Sequence, residues 1–486
     1  MPCQRSVLNQ VNAAKNRFGV EMPARSENEL KKFEIYARKI IQRMLPKPTT
    51  TDVSDFNEWV SRYPGSRARS LLKVHEECLT GKDAHIVKSF IKWEAYQEPK
   101  HARAINAPQD ESKVILGAVI KVFDNALFKN NRFFVKGSNP RDWPAMLRDV
   151  FCDRPVNATD FTSMEAHHSG VYSRIVHFAI MHVLRDIPMT RYHRALISKL
   201  VLGTNKCVFK DITVEIEQRL MSGALWTSSS NGLLNFLFCS YISNPFSDID
   251  DMVTHVLEKF NGVFEGDDGC FEGDIVEDRI EKLGLKLKIE SHPNYQSAAF
   301  CQIRTGPNEE LYCDVMRSLR KFFALPTKFS QMPSSHTKMF FRAKALSYIV
   351  LFPDCPVLAP MCHAILKRTA SYDARRYSAE QEYNRAELVQ VALDEKVWTR
   401  PPAITGELRT LVADLCDLPV DVQIELETKF EGSWPIEHSF DSFLTPEALM
   451  LETYFLSDRR RGRLAGKSFE PLEKEMDVKL TYNQPD

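Results

Sequence analysis

Leu30, Phe33, Ile35, Ala37, Ile40, Ile41 and Met44 recur at roughly helical spacing, with lysines and arginines between them. The pattern predicts an amphipathic helix over Glu29–Leu45. The Pro-Lys-Pro stretch after it ends that helix, and Asp52 or Ser54 would cap the next one, which runs through Trp59. Helical and irregular segments follow to about Asp153. The period then changes. Val156–Phe161 and Gly262–Phe271 are short strand-like runs beside acidic residues, whereas Val171–Leu184, Tyr192–Leu202 and the largely apolar Leu233–Ile242 read as helices. From Glu310 on, long helical patterns dominate, among them Tyr312–Phe323 and Ser335–Leu351, and no internal repeat is found. The fold class this order predicts is α+β: a helical, basic N-terminal part, a small central sheet and a helical C-terminal part.

Composition narrows the class further. With 486 residues, 43% apolar and 26% charged, the chain can build a sizeable core over two to four domains. Its 19 glycines and 26 prolines exclude a collagen-like or low-complexity architecture. The run at Leu233–Ile242 is interrupted by Asn235, Cys239 and Ser240, so no membrane-spanning helix is expected. The polar stretch from Met1 to Val20 lacks the apolar centre of a secretory leader. Eleven scattered cysteines without a C-x-x-C pair predict reduced intracellular thiols rather than a disulfide framework or a zinc site. The net charge of zero conceals an asymmetry: residues 1–150 carry 26 Lys and Arg against 17 Asp and Glu, and the remainder carries the opposite excess. A basic region for a polyanion and an acidic one for a cation such as magnesium would account for it, as would ordinary solvated faces.

The sharpest chemistry lies in Val263-Phe264-Glu265-Gly266-Asp267-Asp268-Gly269-Cys270-Phe271. Apolar residues flank Gly-Asp-Asp-Gly, the pattern of a β-hairpin with two carboxylates at its tip. Ionised together these repel each other, which suits a divalent cation. A surface turn would carry the same residues, so the surroundings decide. Upstream, Ser222, Gly223, Thr227 and Asn231 form an S-G-x-x-x-T-x-x-x-N pattern leading into the apolar helix. Before that, Asp160 and Glu165 place two carboxylates five residues apart at a strand end. Earlier still, Lys92 and Arg103 put cations in a loop or ribbon. No G-x-x-x-x-G-K-[ST] loop marks a nucleotide-hydrolysing motor.

In that order, the four segments resemble viral RNA-dependent RNA polymerases, most of all those of the plus-strand RNA virus group around tombusviruses and nodaviruses. The resemblance covers about Lys88 to Arg320, with weaker echoes at Tyr63-Pro64 with Arg67 and Arg69, at Phe134-Val135-Lys136-Gly137, at Leu283 to Lys288 and at Phe300-Cys301-Gln302. It implies a right-hand polymerase fold. Residues 1–155 would be the N-terminal extension and fingers, 156–312 a palm on a small antiparallel sheet with a fingers insert at about 171–215, and 313–486 a helical thumb and tail. It implies nucleotidyl transfer from ribonucleoside triphosphates to an RNA 3′-hydroxyl, with two Mg²⁺ (or Mn²⁺) ions held by Asp160, Asp267 and Asp268. Lys92 and Arg103 would grip the triphosphate. Glu165, Ser222, Thr227 and Asn231 would read the sugar, with Glu165 and Asn231 acting as a pair. Glu165 departs from the family, which usually has Asp there. Lys286 and Lys288 are rival general acids. The implied partners are template and nascent RNA, ribonucleoside triphosphates, other viral replication proteins and host membranes. The implied location is the host-cell cytoplasm, its membrane-associated replication sites, or the virion.

Other readings fit less of the pattern. Reverse transcriptases share the palm, but they carry an aromatic residue two positions before the Asp pair, where this chain has Glu265. A non-catalytic RNA-binding scaffold would not need all three aspartates. His167 and His168 read as a core-packed or solvated pair, with a metal site as the alternative. Cys355, Cys362 and His363 are too few for a zinc site. The Arg459–Arg463 run either contacts phosphates or is a solvated tail.

Overall fold

The structure is a computed structural model that describes the chain apart from residues 1–5, 19, 21, 49–54, 64, 78–83, 93–100, 130, 324–331, 381–385, 433–478 and 483–486. Eleven strands are described: β1 (Ile86–Ile91), β2 (Ala104–Pro108), β3 (Val156–Phe161), β4 (Thr204–Val208), β5 (Ile212–Glu217), β6 (Gly262–Glu265), β7 (Asp268–Phe271), β8 (Leu287–His292), β9 (Arg304–Thr305), β10 (Leu311–Tyr312) and β11 (Lys479–Tyr482). Helices cover most of the rest, so the architecture is mixed, with small sheets.

The central sheet has the order β6-β7-β3-β8, and every pair in it is antiparallel. Glu265 pairs with Asp268, which leaves Gly266 and Asp267 as a two-residue hairpin turn. Thr159 pairs with Gly269, and Asp160 with Lys288. The Thr227–Ile242 helix packs against this hairpin and is buried from Ser229 to its end. It is apolar on all sides, as a helix inside a core must be. Phe133, Phe236 and Phe260 lie with ring centroids 4.6–6.1 Å apart, and Phe264 of β6 joins them at 5.7 Å from Phe236. These rings fix β6 on the helix.

The N-terminal helix expected over Glu29–Leu45 runs Glu27–Met44 and is capped by Ser26, whose side chain accepts from the Glu29 N–H. Its Phe33 stacks on Phe238 at 5.4 Å. Asp52 and Ser54 lie outside the described residues, and the helix Phe56–Ser61 is capped by Asp55. The loop or ribbon expected around Lys92 and Arg103 is an antiparallel ribbon, β1–β2. It belongs to a second sheet, β11-β5-β4-β1-β2, whose strands β4 and β5 fall within the expected insert and were not foreseen as strands.

A separate apolar core extends from Leu311 to Phe430 and holds Phe322, Phe340, Phe341 and Tyr348. The helix expected over Tyr312–Phe323 starts only at Val315, because Leu311 and Tyr312 pair with Thr305 and Arg304 as β10 and β9. The next runs Ser334–Leu351, one residue from its expected start. Among the described residues no helix is long and apolar enough to cross a membrane. The Arg459–Arg463 run and Pro64 lie outside the described residues.

Candidate active site

Asp160 sits near the end of β3, where the inward side chains Thr159 and Phe161 are buried and Asp160 itself is exposed. Beyond it the chain turns through Ser163, which holds a left-handed φ of 53°, an uncommon state for a residue with a Cβ. The short Met164–His167 helix follows. The β3–β7 ladder ends at the Thr159–Gly269 pair, one residue short of Asp160 and Asp268, and the Asp160 charge acts on Asp268. Gly266 opens the hairpin turn with a φ of 60°, a conformation that suits glycine. Its carbonyl accepts a 3.3 Å bond from Nδ2 of Asn235, a fully buried amide on the apolar helix. The carboxylate turn is thus tethered from below.

Electrostatics tie the three aspartates into one group. Burial pushes the Asp268 carboxyl up to about 7, and the negative charges of Asp267, Asp160 and Glu265 push the same way, against a hydrogen bond from the Cys301 thiol. Asp267 is open to water at its tip, yet protein surrounds it closely enough that burial raises its carboxyl too. Glu165 adds to that rise, and Arg17 and Arg103 oppose it. Among the described residues, no three His, Cys, Asp or Glu side chains converge into a ready-made metal site. The donors available are carboxylate oxygens crowded by like charge, the set that a hard divalent cation satisfies.

Cations bear on this acidic group. The Lys92 N–H donates to the Arg103 carbonyl at 2.7 Å, so the two residues face each other across the end of the ribbon. Arg103 is exposed, and its charge reaches Asp267. On the hairpin's other side, Lys136 Nζ lies 2.7 Å from Glu265 Oε1, which Ser228 also approaches at 3.4 Å.

The structure does not pair Glu165 with Asn231. Glu165 is buried against Arg17, a residue the sequence did not single out, in a salt bridge whose side chains are 14% and 11% exposed for Arg17 and Glu165. Asn231 Oδ1 instead accepts from Nε2 of His168 at 2.9 Å. That bond leaves the Asn231 amino group to donate elsewhere. His167 and His168 are core-packed, 0% and 2% exposed, and burial lowers their rings to about 4 and about 3. His167 accepts from the Lys286 N–H at 3.0 Å and is not solvated.

Ser222 ties its loop to β2, and Thr227 serves the loop itself. Ser222 Oγ accepts from the Asn106 N–H at 3.0 Å, while Thr227 Oγ1 lies 3.0 Å from the carbonyls of both Met221 and Ala224. Gly223 lies so close to β2 that a Cβ on it would sit 2.9 Å from Ala107 Cα, which explains a glycine there. Of the two lysines, Lys288 shares a register position with Asp160 and pairs with Glu290, whereas Lys286 is half-buried beside His167.

The antiparallel sheet thus brings Asp160, Asp267 and Asp268 within electrostatic reach of one another, with the charge of Arg103 opposing theirs. No family model matches the chain. A curated relative, the RNA-directed RNA polymerase of Atlantic halibut nervous necrosis virus, is 23% identical over 212 residues, 42% of this chain. The match covers 21% of that relative's length. This distant, partial likeness supports the viral polymerase resemblance on its nodavirus side.

The raised Asp268 carboxyl has a measurable consequence. A carboxyl whose folded value lies above its unfolded one contributes stability in full at low pH and loses it as pH rises through the folded value. Without metal, the chain is expected to lose ~2–4 kcal/mol relative to Asp268→Asn between about pH 4 and pH 7. Urea melts of both proteins in EDTA at several pH values measure the difference, and parallel stability curves would refute the crowding of these carboxylates.

Proposed function

We propose that this chain is an RNA-directed RNA polymerase that copies a viral RNA genome from ribonucleoside triphosphates. The observation that carries the proposal is Asp160, Asp267 and Asp268 on adjacent strands and their hairpin turn, close enough that the first two raise the carboxyl of the third, with the charge of Arg103 reaching Asp267. The distant polymerase relative supports it. In this reading residues 1–155 with the 171–215 insert are fingers, 156–312 palm, and 313–486 thumb and tail of a right hand.

Asp160 and Asp267 would hold two Mg²⁺ or Mn²⁺ ions, with Asp268 alongside. Bound there, the ions lower the pKa of the attacking 3′-hydroxyl and offset the charge of the leaving pyrophosphate. Arg103 and Lys92 bind the triphosphate, the first as a fork and the second as a point charge. Asn231, its amide fixed by His168, donates to a sugar hydroxyl, and Glu165 accepts from one. Lys288, in register with Asp160, is the better placed of the two lysines to protonate pyrophosphate. Template and nascent RNA are the macromolecular partners. Other viral replication proteins, host membranes, and a place in the host cytoplasm or virion belong to the same reading.

The test is incubation of the purified chain with a homopolymeric RNA template, Mg²⁺ and labelled nucleotides, with and without a primer. Incorporation of the complementary ribonucleotide is expected. No incorporation, or equal use of deoxyribonucleotides, would reject the proposal.

A further inference from the structure

The helix Val7–Phe18 joins two parts of the molecule that the sequence gives no reason to connect. Its apolar side, Val11, Ala13 and Ala14, is buried in the main core, and the helix packs against β1, β2 and β5. Near its start, Gln10 bonds Asp211 in both directions, Nε2 donating to the carboxylate at 2.7 Å and Oε1 accepting from the Asp211 N–H at 3.1 Å. That anchors the helix on the β4–β5 turn. Near its end, the Asn16 carbonyl accepts from Ser163 Oγ at 3.2 Å, and Arg17 pairs with Glu165. Both contacts fall on the turn that follows Asp160, at the residue with left-handed φ and two positions beyond it.

A buried ion pair is a poor device for stability alone, since desolvation offsets most of its attraction. This one also leaves Arg17 Nε buried with no hydrogen-bond partner among the described residues. Without Arg17, Glu165 would add another uncompensated negative charge next to Asp267.

We infer that Arg17 is a positioning residue for sugar selection: its ion pair holds the Glu165 carboxylate oriented as the acceptor for the 2′-hydroxyl of an incoming ribonucleotide. The inference rests on the polymerase reading. It makes the N-terminal helix part of the nucleotide site and explains how Glu can stand where the resembling enzymes usually carry Asp, because a partner from a remote segment fixes the longer side chain.

The experiment compares full-length wild type, Arg17→Gln, Arg17→Lys, Glu165→Gln and Arg17→Gln/Glu165→Gln. For each, kcat and KM are measured for a ribonucleotide and the matching deoxyribonucleotide on one RNA template, together with Tm. Arg17→Gln is expected to lower the ribo-over-deoxy ratio of kcat/KM about tenfold or more, mainly through KM for the ribonucleotide. Arg17→Lys should restore most of the ratio, and the double variant should lose little beyond either single one. A wild type that incorporates no nucleotide rejects the polymerase reading, and the inference falls with it. An active wild type overturns the inference alone in three cases: if Arg17→Gln keeps the wild-type ratio, if it depresses both substrates equally, or if it merely unfolds.

Discussion

Asp267→Ala is expected to reduce nucleotide incorporation by at least about a thousandfold while template RNA still binds. Asp267 occupies the second position of the hairpin turn with its tip open to water, and the turn itself is held by Asn235 and the β6–β7 ladder. Its charge is one of those that hold the Asp268 carboxyl near 7. Removing it relieves that repulsion, and the metal-free fold should be as stable as the native one or more so. Lost activity with undiminished Tm separates a chemical role from a structural one. RNA affinity should change little, because phosphates are held by basic groups elsewhere. Incorporation kept above roughly a tenth of wild type, measured alongside Tm and RNA binding, would remove Asp267 from the metal site.

Arg103→Ala should raise KM for nucleotide about 10- to 150-fold, the range for losing a hydrogen bond to a charged group. Arg103 is exposed at the ribbon's end and its charge reaches Asp267, so truncation should spare the fold. Lys92→Ala should have a smaller effect of the same kind, since an ammonium offers a point charge where a guanidinium offers a fork. Steady-state kinetics with nucleotide varied, beside filter binding of template RNA, test both. An unchanged KM in Arg103→Ala would place the triphosphate elsewhere.

The parts of this molecule that could be read from the chain are those written locally. The Gly-Asp-Asp-Gly turn with apolar flanks specifies its own hairpin, and the helical stripe from Leu30 to Met44 specifies its own helix. The ribbon strands were harder because their pattern is inverted. Ser89 and Asn106 face inward, bonded to each other at 2.7 Å, while Phe90 is 42% exposed. Strand β5 was legible in principle, since Ile212, Val214 and Ile216 alternate, but the expected elements stopped at Leu202. The site divides the same way. The aspartates announce themselves by charge in a turn, whereas Arg17 reaches Glu165 across 148 positions, and His168 reaches Asn231 across 63. No local spacing encodes such contacts. Ser222 and Thr227 look like ligand-facing hydroxyls in sequence because the backbone groups that capture them become neighbours only once the loop closes. Asn235 was noted only as an interruption in an apolar run, yet it holds the carboxylate turn from within the core.

The position of β3 between β7 and β8 also governs how the protein must be made. Both of its edges are filled by segments synthesised after it. At ~5–20 residues per second, a ribosome needs roughly 6–26 s to travel from Phe161 to His292. Until β7 follows, the aspartate strand leaves the exit tunnel with every ladder hydrogen bond unmade, and its second edge stays open until β8 is made, a template for any foreign strand it meets. Pairing over such separations is slow even once the partners exist. Soluble yield should therefore depend on shelter for the nascent chain during that interval, and a slower translation rate downstream of Phe161 should lower it.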